Sequence, residues 1–268
     1  MGNVIAPLAI PGQSGSRYTE SALAAAGLTV TWVQSAGRPD KRVLVASRTV
    51  GAAGKPHMVV LYSHGNAEDL LSMLGPAECL ANGFGDVLLV SYEYSGYGLS
   101  HAEECAEKNI LDDAHTAADH VRSIVPEDVP IVIYGRSLGS ATAVAAACRL
   151  GARCNALVLQ SPIVSIVSTK VPPAMRSALG FLDMFDTSPG LSGLRVPLLI
   201  AHGVDDSVVP VNNAETIFRD YAGPKELYIL PGRHHNDIYL SGDASAVAAD
   251  GQPLSDKLRV FMSSACKM

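Results

Sequence analysis

The sequence predicts an α/β fold with a mostly parallel, doubly wound sheet. Short apolar runs rich in β-branched residues alternate with helical stretches, which is the pattern of parallel strands joined by helices. The chain has 268 residues, of which 48% are hydrophobic, enough for the core of one large domain. We therefore expect a single domain over 29–268, preceded by an N-terminal segment over 1–28.

The predicted strands follow in order along the chain. Thr29 to Gln34 and Arg42 to Thr49 form an opening hairpin, because both alternate in polarity and lie close in sequence. The later strands are the apolar runs near His57 to Tyr62, Val87 to Tyr92, Pro130 to Tyr134, Ala156 to Gln160, Val196 to Ala201 and Glu226 to Leu230. A short cap over 162–195 interrupts the alternation, and an insertion loop over 243–250 precedes a final helix.

A G-x-S-x-G motif lies at Gly135, Ser137 and Gly139, between an apolar strand and an Ala-rich helix. A serine on such a sharp strand-to-helix turn has a strained backbone, so its neighbours must be small. Gly135, Gly139 and Ala141 meet this requirement. The motif is short and common by itself, but with both flanks present it indicates that Ser137 is a nucleophile.

A serine nucleophile needs a histidine base and an acid that orients the base. Asp205 and Asp206 follow the strand that begins at Val196, and His234 and His235 follow the last strand. The order Ser, Asp, His after successive strands is that of one large group of hydrolases. The residues alone do not decide between the members of each pair.

Two backbone amides are candidates for an oxyanion hole. Leu138 follows the nucleophile at the start of a helix, and Asn66 lies in the turn after the strand that ends near Tyr62. His64, in the same turn, could be mistaken for the base. We interpret it as a structural residue that packs under the loop, since the histidine pair after the last strand already occupies the position a base requires.

The motifs HGNAEDL, YEYSGYGLS, YGRSLGS, QSPIVS, HGVDDSVV and HHNDI resemble those of the α/β-hydrolase domain-containing 17 group of palmitoyl-protein thioesterases, and of the related Bem46-like hydrolases. The resemblance extends from about Thr29 to the C-terminus. It implies an α/β-hydrolase fold, no cofactor and no metal, with Asp206 as the acid and His235 as the base. Asp205 and His234 then lie beside the site or on the surface.

The chain also departs from this group. Arg136 stands where the group usually has Gln, and Glu93 where it has Asp, so a contact near the nucleophile and one in the tyrosine-rich loop are altered. The N-terminal cysteine cluster that is palmitoylated in the group has no counterpart here. Membrane residence therefore does not follow from the resemblance.

Composition limits the partners and the compartment. A formal charge of −6 without a basic stripe gives no electrostatic reason to bind nucleic acid or an anionic membrane. The five cysteines lack zinc or disulfide spacing, which favours a reducing, cytoplasmic compartment. A metal site at His115 and His120 is disfavoured, because an i, i+5 spacing directs them to different helix faces. Oligomeric state is not predicted.

The N-terminal segment begins with Met-Gly, and Pro7 and Pro11 together with the lack of a charged start argue against a signal peptide. Gly2 is a candidate for N-myristoylation, although Ala6 stands where Ser or Thr is expected. Two interpretations stay open. The segment is either an acylated, flexible anchor that gives weak attachment to the cytoplasmic face of a membrane, or an ordinary disordered terminus.

The cap carries apolar side chains suited to an acyl chain, and we expect a substrate groove at Met175, Leu179, Phe181, Met184 and Phe185. The alternative is that these residues only cover the core. The favoured function is hydrolysis of acyl thioesters or esters, with S-acylated proteins as substrates. The alternatives are a serine peptidase or a lipid esterase of the same fold, and a hydrolase fold without catalysis that acts as an interaction module.

Overall fold

The computed structural model describes residues 18–51, 55–71, 74–75, 85–170, 183–238, 247–248 and 251–266. Within these residues eight strands form one sheet. The strands are β1 (Thr29–Gln34), β2 (Arg42–Val50), β3 (Met58–Ser63), β4 (Val87–Tyr92), β5 (Ile131–Arg136), β6 (Cys154–Gln160), β7 (Leu198–Gly203) and β8 (Lys225–Leu230).

The order of the strands in the sheet is β1-β2-β4-β3-β5-β6-β7-β8. β2 pairs antiparallel with β1 and with β4, and all other neighbours are parallel. The opening hairpin and the mostly parallel sheet are therefore confirmed, and the predicted strand ends differ from the observed ones by two residues at most.

The helices of the described residues cover both faces of this sheet. They are α1 (Glu20–Ala25), α2 (Glu107–Ile124), α3 (Gly139–Leu150), α4 (Ile166–Lys170), α5 (Ser188–Gly193), α6 (Asn212–Asp220) and α7 (Leu254–Ala265). Residues of α2, α3, α5 and α6 share one core cluster with one face of the sheet, and α1 and α7 share a second cluster with the other face. The predicted final helix is α7.

The central strands are apolar along their whole length because both of their faces are covered. Every residue of β3 is buried, and alternate residues belong to different clusters: Val59 and Leu61 to the first, Met58 and Val60 to the second. Such strands appear in a sequence as continuous apolar runs rather than as an alternation, which is why they can be predicted.

The structure describes residues 18–28 of the expected N-terminal segment, and these pack on the sheet. Tyr18, Leu23 and Leu28 are buried in the second cluster, and the Thr19 side chain accepts a hydrogen bond that caps α1. Residues 1–17, with Gly2, lie outside the described residues.

The cap is described over 162–170 and 183–195, where it contains α4 and α5. Met175, Leu179 and Phe181 lie outside the described residues. Met184 and Phe185 are 9% and 1% exposed and belong to the first core cluster, as the core-covering interpretation expects. Of the predicted insertion loop, only 247–248 is described, and Val247 forms a bridge with Pro253.

Candidate active site

The candidate site lies where the strand order of the sheet reverses. From β3 the chain continues to β4 on one side and then returns to β5 on the other, so the loops after β3 and β5 leave the sheet in opposite directions. Ligands of open α/β sheets bind at such a point, outside the carboxyl ends of the strands. Ser137 follows β5 at this end of the sheet.

Ser137 has a backbone φ of 53°, in the left-handed region that non-glycine residues rarely adopt. The surrounding backbone is packed so tightly that the flanking positions require glycine. A Cβ on Gly135 would lie 2.5 Å from the Gly139 carbonyl oxygen, and one on Gly139 would lie 2.2 Å from that of Ser63. The two glycines of the G-x-S-x-G motif are thus explained by close contact of the start of α3 with the ends of β5 and β3.

His235 contacts Ser137 from the loop after β8. Its Nε2 lies 3.0 Å from Ser137 Oγ, and its Nδ1 lies 2.7 Å from Asp206 Oδ2. Since the carboxylate can only accept, Nδ1 carries the proton and Nε2 is left to accept from the serine hydroxyl. His235 and Ser137 are each 8% exposed, so the contact is almost removed from water.

Asp206 is held by the loop that follows β7. Its Oδ1 accepts the N–H groups of Val208 and Val209 at 2.9 and 2.8 Å. Burial by itself would raise the pKa of Asp206, but hydrogen bonds from His202, His235 and the Val209 amide outweigh it and hold the pKa well below its usual range. The acid therefore remains ionised at neutral pH.

His202, the last residue but one of β7, is a contact that the sequence did not reveal. Its Nε2 lies 3.3 Å from Asp206 Oδ2 and 2.9 Å from the Val209 carbonyl oxygen. Both partners are acceptors, so Nε2 carries the proton of the fully buried ring. His202 is the first residue of the motif HGVDDSVV, and its spacing of four residues from Asp206 is the signal that could have indicated this contact.

The second members of the two ambiguous pairs are placed elsewhere. Asp205 and His234 are exposed, and the His234 Nδ1 lies 2.8 Å from the Asp205 carbonyl oxygen. Neither side chain has a hydrogen bond to Ser137 among the contacts of the described residues. The structure thus brings Ser137, His235 and Asp206 together by hydrogen bonds and leaves Asp205 and His234 outside this set.

The two candidate oxyanion amides lie in loops that meet beside Ser137. Leu138 directly precedes α3, and the first N–H groups of a helix have no partner within the helix. Asn66 belongs to the oxyanion loop, residues 64–69, where its Oδ1 accepts a hydrogen bond of 2.6 Å from the Tyr97 hydroxyl. Tyr97 is fully buried, so this contact fixes an exposed residue to the core.

His64 lies beneath the oxyanion loop. Its ring is fully buried and stacks on Tyr94 with 3.8 Å between the centroids, and its Nδ1 lies 3.0 Å from the Gly65 carbonyl oxygen. Burial lowers the pKa of His64. Its Nε2 lies 3.5 Å from the buried Glu93, and the histidine has the structural position expected of it.

The described residues contain neither a cluster suited to a metal ion nor a helix suited to a membrane. Among the described residues, no group of three or more His, Cys, Asp and Glu side chains is arranged to hold a metal ion. In the helix with the two histidines, Asp113 pairs with Arg38 and Asp119 with Arg149. In the same part of the chain, no helix has both the length and the apolarity needed to cross a membrane.

The fold is shared with solved esterases. An esterase from Pyrococcus furiosus superposes with a TM-score of 0.62 at 14% identity, over 95% of each chain. The Butyrivibrio proteoclasticus protein Est1E, solved with ferulic acid, gives 0.63 at 15% identity, over 89% of this chain and all of that one. At such identities the likeness establishes the fold only.

Sequence comparisons place the chain more closely. A hydrolase family model described as serine aminopeptidase S33 matches residues 54–188. The α/β-hydrolase domain-containing protein aho-3 of Caenorhabditis elegans is 32% identical over 208 residues, which are 76% of this chain and 60% of that protein. The human α/β-hydrolase domain-containing protein 17B is 31% identical over 211 residues, covering 76% of this chain and 69% of the relative.

The fold and these matches define the protein as an α/β hydrolase. Within that class, the chain belongs to the family of the α/β-hydrolase domain-containing 17 and aho-3 proteins. The resemblance stated from the motifs is therefore confirmed. The chain spans 60% of the length of aho-3 and 69% of that of protein 17B, so their further properties do not transfer automatically.

Proposed function

We propose that this hydrolase cleaves acyl thioesters or esters with Ser137 as nucleophile, His235 as base and Asp206 as orienting acid. The observation that carries the proposal is the continuous hydrogen-bonded chain from Ser137 Oγ through the His235 ring to Asp206. Attack of Oγ on the acyl carbon transfers the serine proton to His235 Nε2. We assign stabilisation of the oxyanion to the backbone amides of Leu138 and Asn66.

The intermediate then collapses, and His235 returns the proton to the leaving thiol or alcohol. Water repeats the same steps on the acyl-enzyme and releases a carboxylic acid. Asp206 stabilises the imidazolium in both halves, since its lowered pKa keeps it charged.

S-acylated proteins are the substrates that we propose for this chemistry. The motifs resemble those of a group of palmitoyl-protein thioesterases, and membership of the same family supports a related substrate. A thiolate is also a better leaving group than an alkoxide, so a thioester is chemically the easier substrate for this mechanism. The part of the cap from Met175 to Phe181 would have to supply the acyl contacts.

The nucleophile is tested by Ser137→Ala. We expect it to abolish labelling by a fluorophosphonate probe and to lower hydrolysis of a short acyl ester by about 10³-fold or more, as removal of a triad serine does. Ser123→Ala, which removes an exposed serine hydroxyl from α2, is the matched control and should behave as the wild type. Near-normal turnover by Ser137→Ala would refute the mechanism.

A peptidase is the second candidate, because the matching family model is described as a serine aminopeptidase. An aminopeptidase must bind the free ammonium group of its substrate, and a carboxylate near the nucleophile is the usual means. Glu68 is near the site, but its carboxylate is paired with Arg136. A panel of long-chain thioesters, glycerol esters and aminoacyl amides would decide, and the highest kcat/KM on an aminoacyl amide would favour the peptidase.

We further propose that Gly2 carries a myristoyl chain that attaches the protein weakly to the cytoplasmic face of membranes. A single chain gives only marginal, reversible binding. Gly2→Ala should then move the protein into the soluble fraction while hydrolysis of a soluble thioester is unchanged. Equal membrane fractions for the two proteins would remove the anchor.

A further inference from the structure

The side chain of Arg136 connects two loops of the site. Arg136 is the last residue of β5, next to Ser137, and its side chain is 11% exposed. One end of its guanidinium contacts the oxyanion loop, and the other contacts the histidine loop, residues 231–238. The contacts are hydrogen bonds at both ends.

In the oxyanion loop the partner is Glu68. Arg136 Nη1 donates to Glu68 Oε1, and Glu68 Oε2 accepts the backbone N–H of Gly65 at 2.7 Å. Gly65 directly precedes Asn66, whose amide is a candidate oxyanion donor. The space is limited, because a Cβ on Gly65 would lie 3.1 Å from Arg136 Nη1. The Glu68 carboxylate therefore transmits the position of the arginine to the backbone that carries the amide.

In the histidine loop the partners are adjacent residues. Arg136 Nη2 donates to Asn236 Oδ1 at 2.7 Å and to the backbone carbonyl oxygen of His235 at 3.2 Å. The same guanidinium thus holds the main chain of the residue whose ring contacts Ser137. Gln160, on the neighbouring strand, holds this loop at a second place, through the Ile238 carbonyl oxygen at 3.2 Å.

We propose that Arg136 is a positioning residue that fixes the oxyanion amide of Asn66 and the ring of His235 relative to each other. The inference rests on the proposed function, since it assigns those two groups to catalysis. A planar guanidinium presents donors in a fixed fork, so it can bind the carboxylate and the histidine loop at the same time. A lysine ammonium or a glutamine amide cannot reproduce that geometry.

The consequence concerns the transition state more than the bound substrate. Arg136 contacts Glu68 and the histidine loop, and these contacts set the distance between the Asn66 amide and the His235 ring. These two groups act together only when charge develops on the acyl oxygen. Misplacement of such groups by about 1 Å can lower a rate by about 100-fold. Loss of Arg136 should therefore lower kcat and leave KM nearly unchanged.

The test uses the full chain with Arg136→Gln, Arg136→Lys, Glu68→Gln and the double variant Arg136→Gln/Glu68→Gln. With a p-nitrophenyl acyl ester, we expect Arg136→Gln to lower kcat by about 10- to 100-fold with KM within about twofold. Fluorophosphonate labelling should slow by a similar factor. Arg136→Lys should restore little of the lost kcat. The double variant should be about as slow as the single variants, because each of them breaks the same link between the oxyanion loop and the histidine loop.

Arg153→Gln is the matched control. The Arg153 side chain is 14% exposed and pairs with Glu127 at 3.5 Å. It also donates to the carbonyl oxygens of Glu127 and Pro126, and none of these partners belongs to the candidate site. It should lose stability to a similar extent with an unchanged kcat. A kcat for Arg136→Gln equal to that of Arg153→Gln would overturn the inference while leaving the proposed function intact. An unlabelled, inactive wild type would overturn both.

Discussion

Two buried contacts between a histidine and a carboxyl group, that of His235 with Asp206 and that of His64 with Glu93, differ in the charge of the carboxyl. In the first, His235 Nδ1 lies 2.7 Å from Asp206, whose pKa is held well below its usual range. In the second, His64 Nε2 lies 3.5 Å from Glu93, and burial raises the pKa of Glu93 to about 8. At neutral pH the first carboxyl is ionised and the second is protonated.

The difference comes from the balance between burial, which raises the pKa of both carboxyls, and the hydrogen-bond donors around each of them. Asp206 receives N–H groups from two backbone amides and two histidine rings. Glu93 accepts from the Tyr18 hydroxyl and from backbone groups at Leu70 and Tyr94, but its complete burial outweighs them. His64 adds no donor, because its Nδ1 proton faces the Gly65 carbonyl oxygen and Nε2 presents a lone pair to the carboxyl. An ionised Glu93 would be repelled there. A histidine beside a carboxylate is therefore not enough to define a catalytic pair.

The largest expected effect comes from breaking the first pair. Asp206→Asn replaces the acceptor of the His235 Nδ1 proton by an amide that can present a donor, which disfavours the tautomer that can accept the serine proton. We expect kcat to fall by about 10⁴-fold, the loss typical of this change in a triad. Steady-state kinetics on a soluble thioester would measure it.

Asp205→Asn is the matched control for that variant, because it changes the adjacent, exposed carboxylate. Its kcat should stay within about twofold of wild type, as expected of a surface charge. The reverse ranking of the two variants would show that Asp205 orients the base and that the observed pairing is not the catalytic one.

A smaller effect, on stability, should come from Glu93→Gln. The pKa of Glu93 is about 8 in the folded chain against an ordinary value of 4.5. Between these values the folded protein binds one more proton than the unfolded chain, so its free energy of unfolding falls as the pH rises, by up to about 1.4 kcal/mol per pH unit. Glutamine has no proton to lose, so the stability of the variant relative to wild type should increase as the pH rises from 5 to 8.

Thermal unfolding at several pH values would measure this gain. The Glu93→Gln variant should be the more stable protein near pH 8, while the difference narrows or reverses near pH 5, where both side chains are neutral. Asp128→Asn, at an exposed carboxylate, should follow the wild-type pH dependence. Parallel curves for Glu93→Gln and wild type would show that Glu93 is ionised in the fold.

The features that depend on local sequence patterns could be predicted from the sequence. The buried parallel strands are continuous apolar runs, and the elbow at Ser137 leaves a glycine signature because backbone atoms crowd both flanking positions. Contacts between distant loops leave no such pattern. Arg136 meets partners 68 and 100 residues away, and nothing near it in the sequence indicates that Glu68 and Asn236 share its guanidinium. The choice between adjacent candidates came from family resemblance, since local spacing is nearly the same for both.

The smallest expected effect should come from Tyr97, which contacts both His64 of the second pair and Asn66 of the oxyanion loop. Tyr97 packs at the edge of the His64 ring and donates from its hydroxyl to Asn66 Oδ1 at 2.6 Å. Tyr97→Phe keeps the buried ring and removes that one hydrogen bond, whose loss costs about 1 kcal/mol. We expect kcat to fall by up to about fivefold, as that energy implies, with the pH dependence of stability unchanged because Glu93 and His64 are untouched.

Tyr221→Phe, which removes a hydroxyl hydrogen bond to the Val196 carbonyl oxygen, should lose stability without loss of kcat. Equal kcat values for the two tyrosine variants would show that Asn66 holds its position without Tyr97.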